Sequence, residues 1–387
     1  MFRTRIRTAA ASVAVAAVGA LLAGCSVFTP ATETTSGVAF VVGARENSPA
    51  VDPARLLEYV PSEVDAFRPG SIVSVTGVDG SEDGVPGHGF KLADLGSKVD
   101  NGDLLLGERA QVASGLAELR PDDAEANVLG AIASAARSIS GVTGSRTIVI
   151  ADSMLSTVQP LAFQNGLLGA SAEDVVAAIP DGLLPPLDGA KVVVLDQGTT
   201  WEPQKPLSQL DRTALRGIWE AVLLAAGASA VEYDDRSTPL APGRYDVRVT
   251  PVEPTAIMGP VVQKCRAVIP ESSIRFAGDL ATFVSPATAR EYIAQLADGL
   301  RGCTGTITIS GTTASARQDA EFNHRLSLDR ASAVRAELAP LLGLAVDDIH
   351  VEGLGTDFPG FVDDRPGGIF DPVLGARNRT VIVSYTA

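Results

Sequence analysis

The chain has 387 residues, 45% of them hydrophobic, which is enough to bury more than one core and excludes a largely disordered chain. Its 46 acidic side chains outnumber 31 basic ones, for a formal charge of −15, and that balance argues against nucleic acid as a partner.

In chain order, Arg3, Arg5 and Arg7 precede an apolar run from Ala9 to Leu22 that is too short to span a bilayer, so residues 1–24 read as a signal peptide. The run ends at Leu22-Ala23-Gly24-Cys25, which resembles the lipobox of bacterial lipoproteins. That resemblance implies a diacylglyceryl group on the Cys25 thiol and Cys25 as the mature N-terminus. More than one acyl chain makes attachment to a membrane stable where a single chain is marginal. Residues 25–37, rich in Thr, Ser, Ala and Pro, read as a flexible tether. With Cys25 lipidated, Cys265 and Cys303 are left as an even pair in an oxidising compartment, and a disulfide between them is expected, two buried free thiols being the alternative.

Residues 38–235 alternate strand-like and helical patterns, the signature of an α/β fold. Strands are expected at Val38–Val42, Ser71–Val75, Thr147–Ile150, Lys191–Leu195 and Ala230–Tyr233. Helices are expected over 209–228, where Leu215, Ile218, Trp219, Val222 and Leu223 share one face, and over 124–139. A further strand at Gly89–Asp94 predicts an antiparallel edge. This order resembles a von Willebrand factor A-like domain, although a generic doubly wound domain fits the same pattern. In that family an Asp-x-Ser-x-Ser loop holds a divalent metal, whereas here the loop is Gly43-Ala44-Arg45-Glu46-Asn47-Ser48 and only Asp152 stands where the family keeps its later Asp. A hard cation needs several oxygens in a fixed array, so no metal is expected.

Catalytic motifs are missing: there is no Gly-x-Ser-x-Gly elbow, no phosphate loop and no Gly-x-Gly-x-x-Gly after a strand. The three histidines, His88, His324 and His350, have no spacing that serves a metal or a proton relay. Neither an enzyme nor a cofactor is expected.

Residues 236–262 carry Pro239, Pro242, Pro251, Pro254 and Pro260 and read as a semi-rigid linker. From 263 to 387 the pattern is β-α-β-α-β with a last strand: Ile274–Phe276 begins a strand, a helix follows Pro286, and strands are expected at Thr304–Ser310, Ile349–Glu352 and Val381–Tyr385 around a helix from Leu326 to Leu338. Four spaced pieces here resemble the OmpA-like family: the turn Ile309-Ser310-Gly311-Thr312-Thr313, Asn323 followed by Leu326-Ser327 and Arg330-Ala331, the Gly353-Leu354-Gly355 loop with Pro359, and Asn378-Arg379 before Val381. An α+β fold and peptidoglycan binding are what the resemblance implies. By the same resemblance Arg330 takes a carboxylate of the stem peptide's diaminopimelate, and Thr313, Asn323, Asn378 and Arg379 are the other matching site positions. Ala314 stands where the family has an Asp that pairs with the ligand's ammonium, and Thr312 replaces its His. Asp319 or Glu321 is expected to substitute.

The expected protein is an envelope lipoprotein facing the periplasm or cell wall that links membrane to peptidoglycan through Cys25 and Arg330. The alternative is an interaction protein whose OmpA-like domain has lost its ligand and whose α/β domain binds an envelope protein, which a ligand groove lined by Gly43 would favour.

Overall fold

Runs rich in β-branched residues, buried almost end to end, build the first sheet, as parallel strands covered on both faces must. The strands are β1 (Gly37–Gly43), β2 (Ile72–Val78), the two-residue β3 (Val85–Pro86) and β4 (Phe90–Lys91), β5 (Arg146–Ala151), β6 (Lys191–Leu195) and β7 (Ala230–Asp234). Their order is β3-β2-β1-β5-β6-β7, with β4 also pairing with β2. All pairings are parallel except those of β3 and β4, which form the expected antiparallel edge. This computed structural model describes residues 34–60, 70–86, 90–91, 110, 112–236, 241–255 and 259–386. Cys25, most of the expected tether and His88 lie outside the described residues.

Helices cover both faces. On one, α2 (Val128–Ser138) and α4 (Gln209–Ala225) pack Ile132, Ala135, Ile218, Trp219 and Val222 onto Val41, Ile148, Ile150 and Val194. The indole Nε1 of Trp219 donates to the Met154 carbonyl at 2.7 Å, so its buried N–H is satisfied. Against the other face, Leu56 of α1 (Pro53–Leu57) and Leu119 pack on Phe40, Val42, Val149 and Val193. A seven-residue helix that the sequence pattern did not predict, α3 (Ala172–Ala178), follows the loop after β5 and is capped by Ser171, whose Oγ accepts from the Asp174 amide at 3.3 Å.

The expected linker is not a free connector. Over 241–255 the chain runs back along loops that flank the first sheet: Glu46 N donates to Val247 O, Glu125 N to Arg248 O, and Val252 N to Gln204 Oε1 at 2.7 Å. Val249 and Val252 are buried in the first core. Prolines thin the ladder of donors, but the apolar residues between them still have surface to bury, and that burial decides the path.

The second sheet has the order β11-β10-β12-β9-β8, from β8 (Val262–Gln263), β9 (Arg266–Pro270), β10 (Thr306–Gly311), β11 (Ile349–Gly353) and β12 (Thr380–Thr386). Strands β10 and β11 are parallel, and β12 is antiparallel to both β10 and β9. The strand expected at Ile274–Phe276 is replaced by β9 at Arg266–Pro270, because Ala267 and Ile269 alternate inward there, while Phe276 makes an isolated bridge to Phe283. Residues Lys264 and Cys265, both left-handed with φ of 49° and 54°, make the two-residue turn between β8 and β9. Cys265 is disulfide-bonded to Cys303 with a Cα–Cα distance of 5.7 Å, as expected. Helices α5 (Pro286–Leu300), α6 (Ala320–Leu342) and α7 (Pro372–Asn378) complete this part. Helix α6 lies tight on β10 and β11: a Cβ at Gly311 would fall 1.9 Å from the Ser327 carbonyl oxygen and one at Gly353 2.2 Å from that of His324, so both positions require glycine. Residues 34–387 form one compact unit that contains both sheets.

Candidate functional site

That tight approach aims the first turns of α6 at the loop after β10. Asp319 caps the helix by accepting from the Phe322 amide at 3.0 Å. One turn in, Asn323 Nδ2 donates to the Arg317 carbonyl at 2.8 Å, which holds the loop against the helix. The Thr313 amide donates to Gly355 O at 2.8 Å, and its buried Oγ1 has no hydrogen-bond partner among the described residues. Two turns beyond Asn323 on the same face is Arg330, 6% exposed, with Nε donating to Leu280 O at 3.0 Å and the guanidinium 5.2 Å from the Phe276 ring centroid.

Arg330, Arg379, Asn323, Thr313 and Ala314 line one cleft of about 440 Å3 with Glu271. A volume of that order suits a small ligand or the end of a peptide. Its other wall comes from the first sheet's side, from Ser171, Glu173, Asp174 and Ala177 of α3 and its cap. Arg379 ion-pairs with Asp174 and, at 3.4 Å, with Glu271, which ties the two sheets' layers together. Nearby, Arg275 Nη2 donates to the Leu168 carbonyl at 2.9 Å across the same seam.

Electrostatics in the cleft follow from burial. Desolvation pushes the Glu271 carboxyl above its ordinary range despite the pull of Arg379, Arg275 and Arg330. Burial opposes the charge of Arg379, but Glu271 and Asp174 outweigh it and hold its pKa above the usual value. For Arg330 burial wins and lowers the pKa, with Glu271 the main opposing influence. No carboxylate lies within ion-pair distance of Arg330 among the described residues, so an anion entering the cleft meets a buried guanidinium ready to bond it.

Four of the five positions expected from the motif thus meet in one cleft. Asn378 does not: it is fully buried, its Oδ1 accepts from the Val362 amide at 2.9 Å, and its Nδ2 donates to Val362 O at 2.7 Å and Asp364 Oδ2 at 3.0 Å. It holds the 362–364 loop and offers no atom to a ligand. Asp319 and Glu321 do not replace the missing carboxylate either, since Asp319 caps α6 and Glu321 points to solvent, 3.7 Å from Arg325. The acids that do line the cleft, Glu271, Asp279, Glu173 and Asp174, were not singled out from the sequence. For α3 a local signal existed, because Ser171 followed three residues later by Asp174 is a helix-start pattern.

In the first sheet Gly43 lines no groove: a Cβ there would fall 2.5 Å from Ser48 Cβ and 2.8 Å from Asp152 Oδ2. Both oxygens of Asp152 are taken by Arg45, at 2.6 and 3.0 Å, with the pair fully buried. Asp79 approaches Asp122 and Asp123, but its oxygens already accept from Ser81 and from the amides of 122 and 123. A second polar cleft, about 560 Å3, opens beyond the carboxyl ends of β6 and β7, with Asp196, Arg212, Arg216, Asp234 and Arg236 in its wall. No described helix is long and apolar enough to cross a membrane.

No curated protein matches the chain. Solved structures similar to it include the OmpA-like domain of FopA1 from Francisella tularensis subsp. tularensis SCHU S4, with 25% identity, 32% of this chain and 76% of that one covered, and a TM-score of 0.24. The cell wall anchor of the T6SS from Pseudomonas aeruginosa is similar at 21% identity, covering 33% and 88%, with a TM-score of 0.26. The peptidoglycan-associated lipoprotein from Burkholderia pseudomallei is similar at 26% identity, covering 29% and 88%, with a TM-score of 0.24. The family model described as OmpA family matches residues 275–367, a span that holds Thr313, Asn323 and Arg330, and so the C-terminal part of this chain is an OmpA-like domain.

Proposed function

We propose that this protein is an envelope lipoprotein that binds peptidoglycan non-covalently, with a diaminopimelate carboxylate of the stem peptide on Arg330 and the membrane held through a lipid on Cys25. What supports this is a guanidinium buried at the cleft wall, with no acidic partner among the described residues, inside a domain of the OmpA family. A planar fork that is already desolvated bonds a carboxylate through two charge-assisted hydrogen bonds and selects it over neutral groups. Arg379, by contrast, is neutralised by Asp174 and Glu271 and acts by shaping the wall. We read residues 1–24 as the signal peptide, 38–235 as a von Willebrand factor A-like domain without a metal, and 263–387 as the OmpA-like domain. The order of the first sheet and its antiparallel edge support the middle assignment.

Co-sedimentation of the mature chain with diaminopimelate-type peptidoglycan tests the proposal. Wild type is expected to pellet, and Arg330→Ala to lose at least about tenfold in affinity, the equivalent of one charged hydrogen bond at about 1.5–3 kcal/mol. No pelleting by the wild type would favour the reading in which the OmpA-like domain has lost its ligand and the first domain binds a protein partner.

A further inference from the structure

Ala314 leaves the OmpA-like half of the cleft without the carboxylate its motif position implies, yet the cleft is not short of acids. Three arginines and four acids line it, and most of them neutralise one another. Arg379 pairs with Asp174 and Glu271, and Arg317 pairs with Asp279 at 3.6 Å. Within the lining, two charges are left without an ion pair among the described residues, and Arg275, outside the lining, interacts electrostatically with Glu173. One is the guanidinium of Arg330, buried and, among the described residues, bonded only through Nε to a carbonyl. The other is the carboxylate of Glu173, on the opposite wall, which has no ion pair or hydrogen bond among the described residues. Gly278 leaves room for that carboxylate, since a Cβ there would fall 2.7 Å from Glu173 Cδ. The Asp174–Arg379 pair fixes α3, and with it Glu173, against the cleft. Thr313 adds to the same wall a buried hydroxyl with no partner among the described residues.

One unpaired cation and one unpaired anion facing a shared cavity complement a zwitterion. The geometry points to a composite site, in which Glu173 of the first domain takes the ammonium of an α-amino-acid centre whose carboxylate sits on Arg330. This rests on the peptidoglycan-binding proposal and narrows it: the ligand must carry both charges, and recognition needs both domains. Asp174 does not serve, because Arg379 already holds it. The exposed Glu173 has no structural bond to lose, so its substitution leaves the fold intact.

The experiment is competition of peptidoglycan pelleting by the full-length protein, using meso-diaminopimelate or pimelate, which has the same carbon chain and carboxylates but no ammonium. Wild type should be displaced by meso-diaminopimelate at about tenfold lower concentration than by pimelate, the worth of one charge-assisted bond. Glu173→Gln should erase that preference and weaken pelleting about tenfold, while Glu321→Gln, an exposed acid outside the cleft, changes neither. If Glu173→Gln keeps the preference while Arg330→Ala abolishes pelleting, the composite site is wrong and the peptidoglycan proposal stands. If pelleting does not depend on Arg330, both fall.

Discussion

At the residue scale, the motif positions divide by what their polar atoms are already doing. That Arg330, Asn323 and Thr313, the positions implied by the family resemblance, share one cleft follows from their local spacing on α6 and the preceding loop, since a helix carries spacing directly into geometry. Asn378 is not legible in this way: its partners Val362 and Asp364 come from a different segment, and only folding shows that both its amide protons are donated and its oxygen accepts from the Val362 amide. Arg45 and Asp152 show the same dependence, as a cation and an acid far apart in sequence that close into a fully buried pair. Removing one partner strands the other in a low dielectric, so Arg45→Ala is expected to cost about 3–5 kcal/mol in urea unfolding. Asp152→Asn combined with Arg45→Ala should recover part of that loss, because no uncompensated charge remains.

At the scale of elements, the parallel strands were the most legible because each is a run of β-branched residues with both faces covered. Strand β9 was not, because its alternation of exposed and buried residues over Arg266–Pro270 is short and lies against a proline-rich approach. Helix α3 was missed at seven residues, too short for periodicity to be seen, although it supplies half of the cleft's acids. The end of β7 illustrates how an element is held by charge. Asp234 accepts from Arg236, from Tyr59 at 2.7 Å and from Arg55 of α1, and these contacts, Arg236 first, hold its carboxyl far below the ordinary range. A depressed carboxyl contributes stability that is present above the unfolded pKa of about 3.9 and disappears as pH falls through the folded value. Asp234→Asn should therefore be less stable than wild type at pH 7 by thermal unfolding. The gap should close as pH falls below about 4, and a constant gap down to the lowest folded pH would show that Asp234 acts through packing alone.

At the scale of the whole molecule, the disulfide is the one long-range link the composition predicted, by cysteine parity and compartment. It closes a loop of 38 residues that joins the β8–β9 turn to the end of α5, and in the chain-entropy account such a closure is worth about 4 kcal/mol. Cys265→Ser with Cys303→Ser should lower stability by roughly that amount, and added reductant should lower the Tm of wild type but not of the double variant. The tertiary structure also changed the expected organisation, since residues 241–255 pack on the first core and α3 packs on the second domain's cleft.

The parallel strands of the first sheet, strands β10 to β12, helices α2, α4, α5 and α6 and the disulfide follow from the chain alone. These depend on periodicity, parity and spacing, which are properties of neighbours along the chain. That 241–255 contributes to the first core, that Asn378 is sealed away and that Glu173 and Asp174 stand opposite Arg330 emerges from the packing of distant segments. Those outcomes depend on which distant groups are desolvated together, and burial of charge and apolar surface is settled by the whole packed fold.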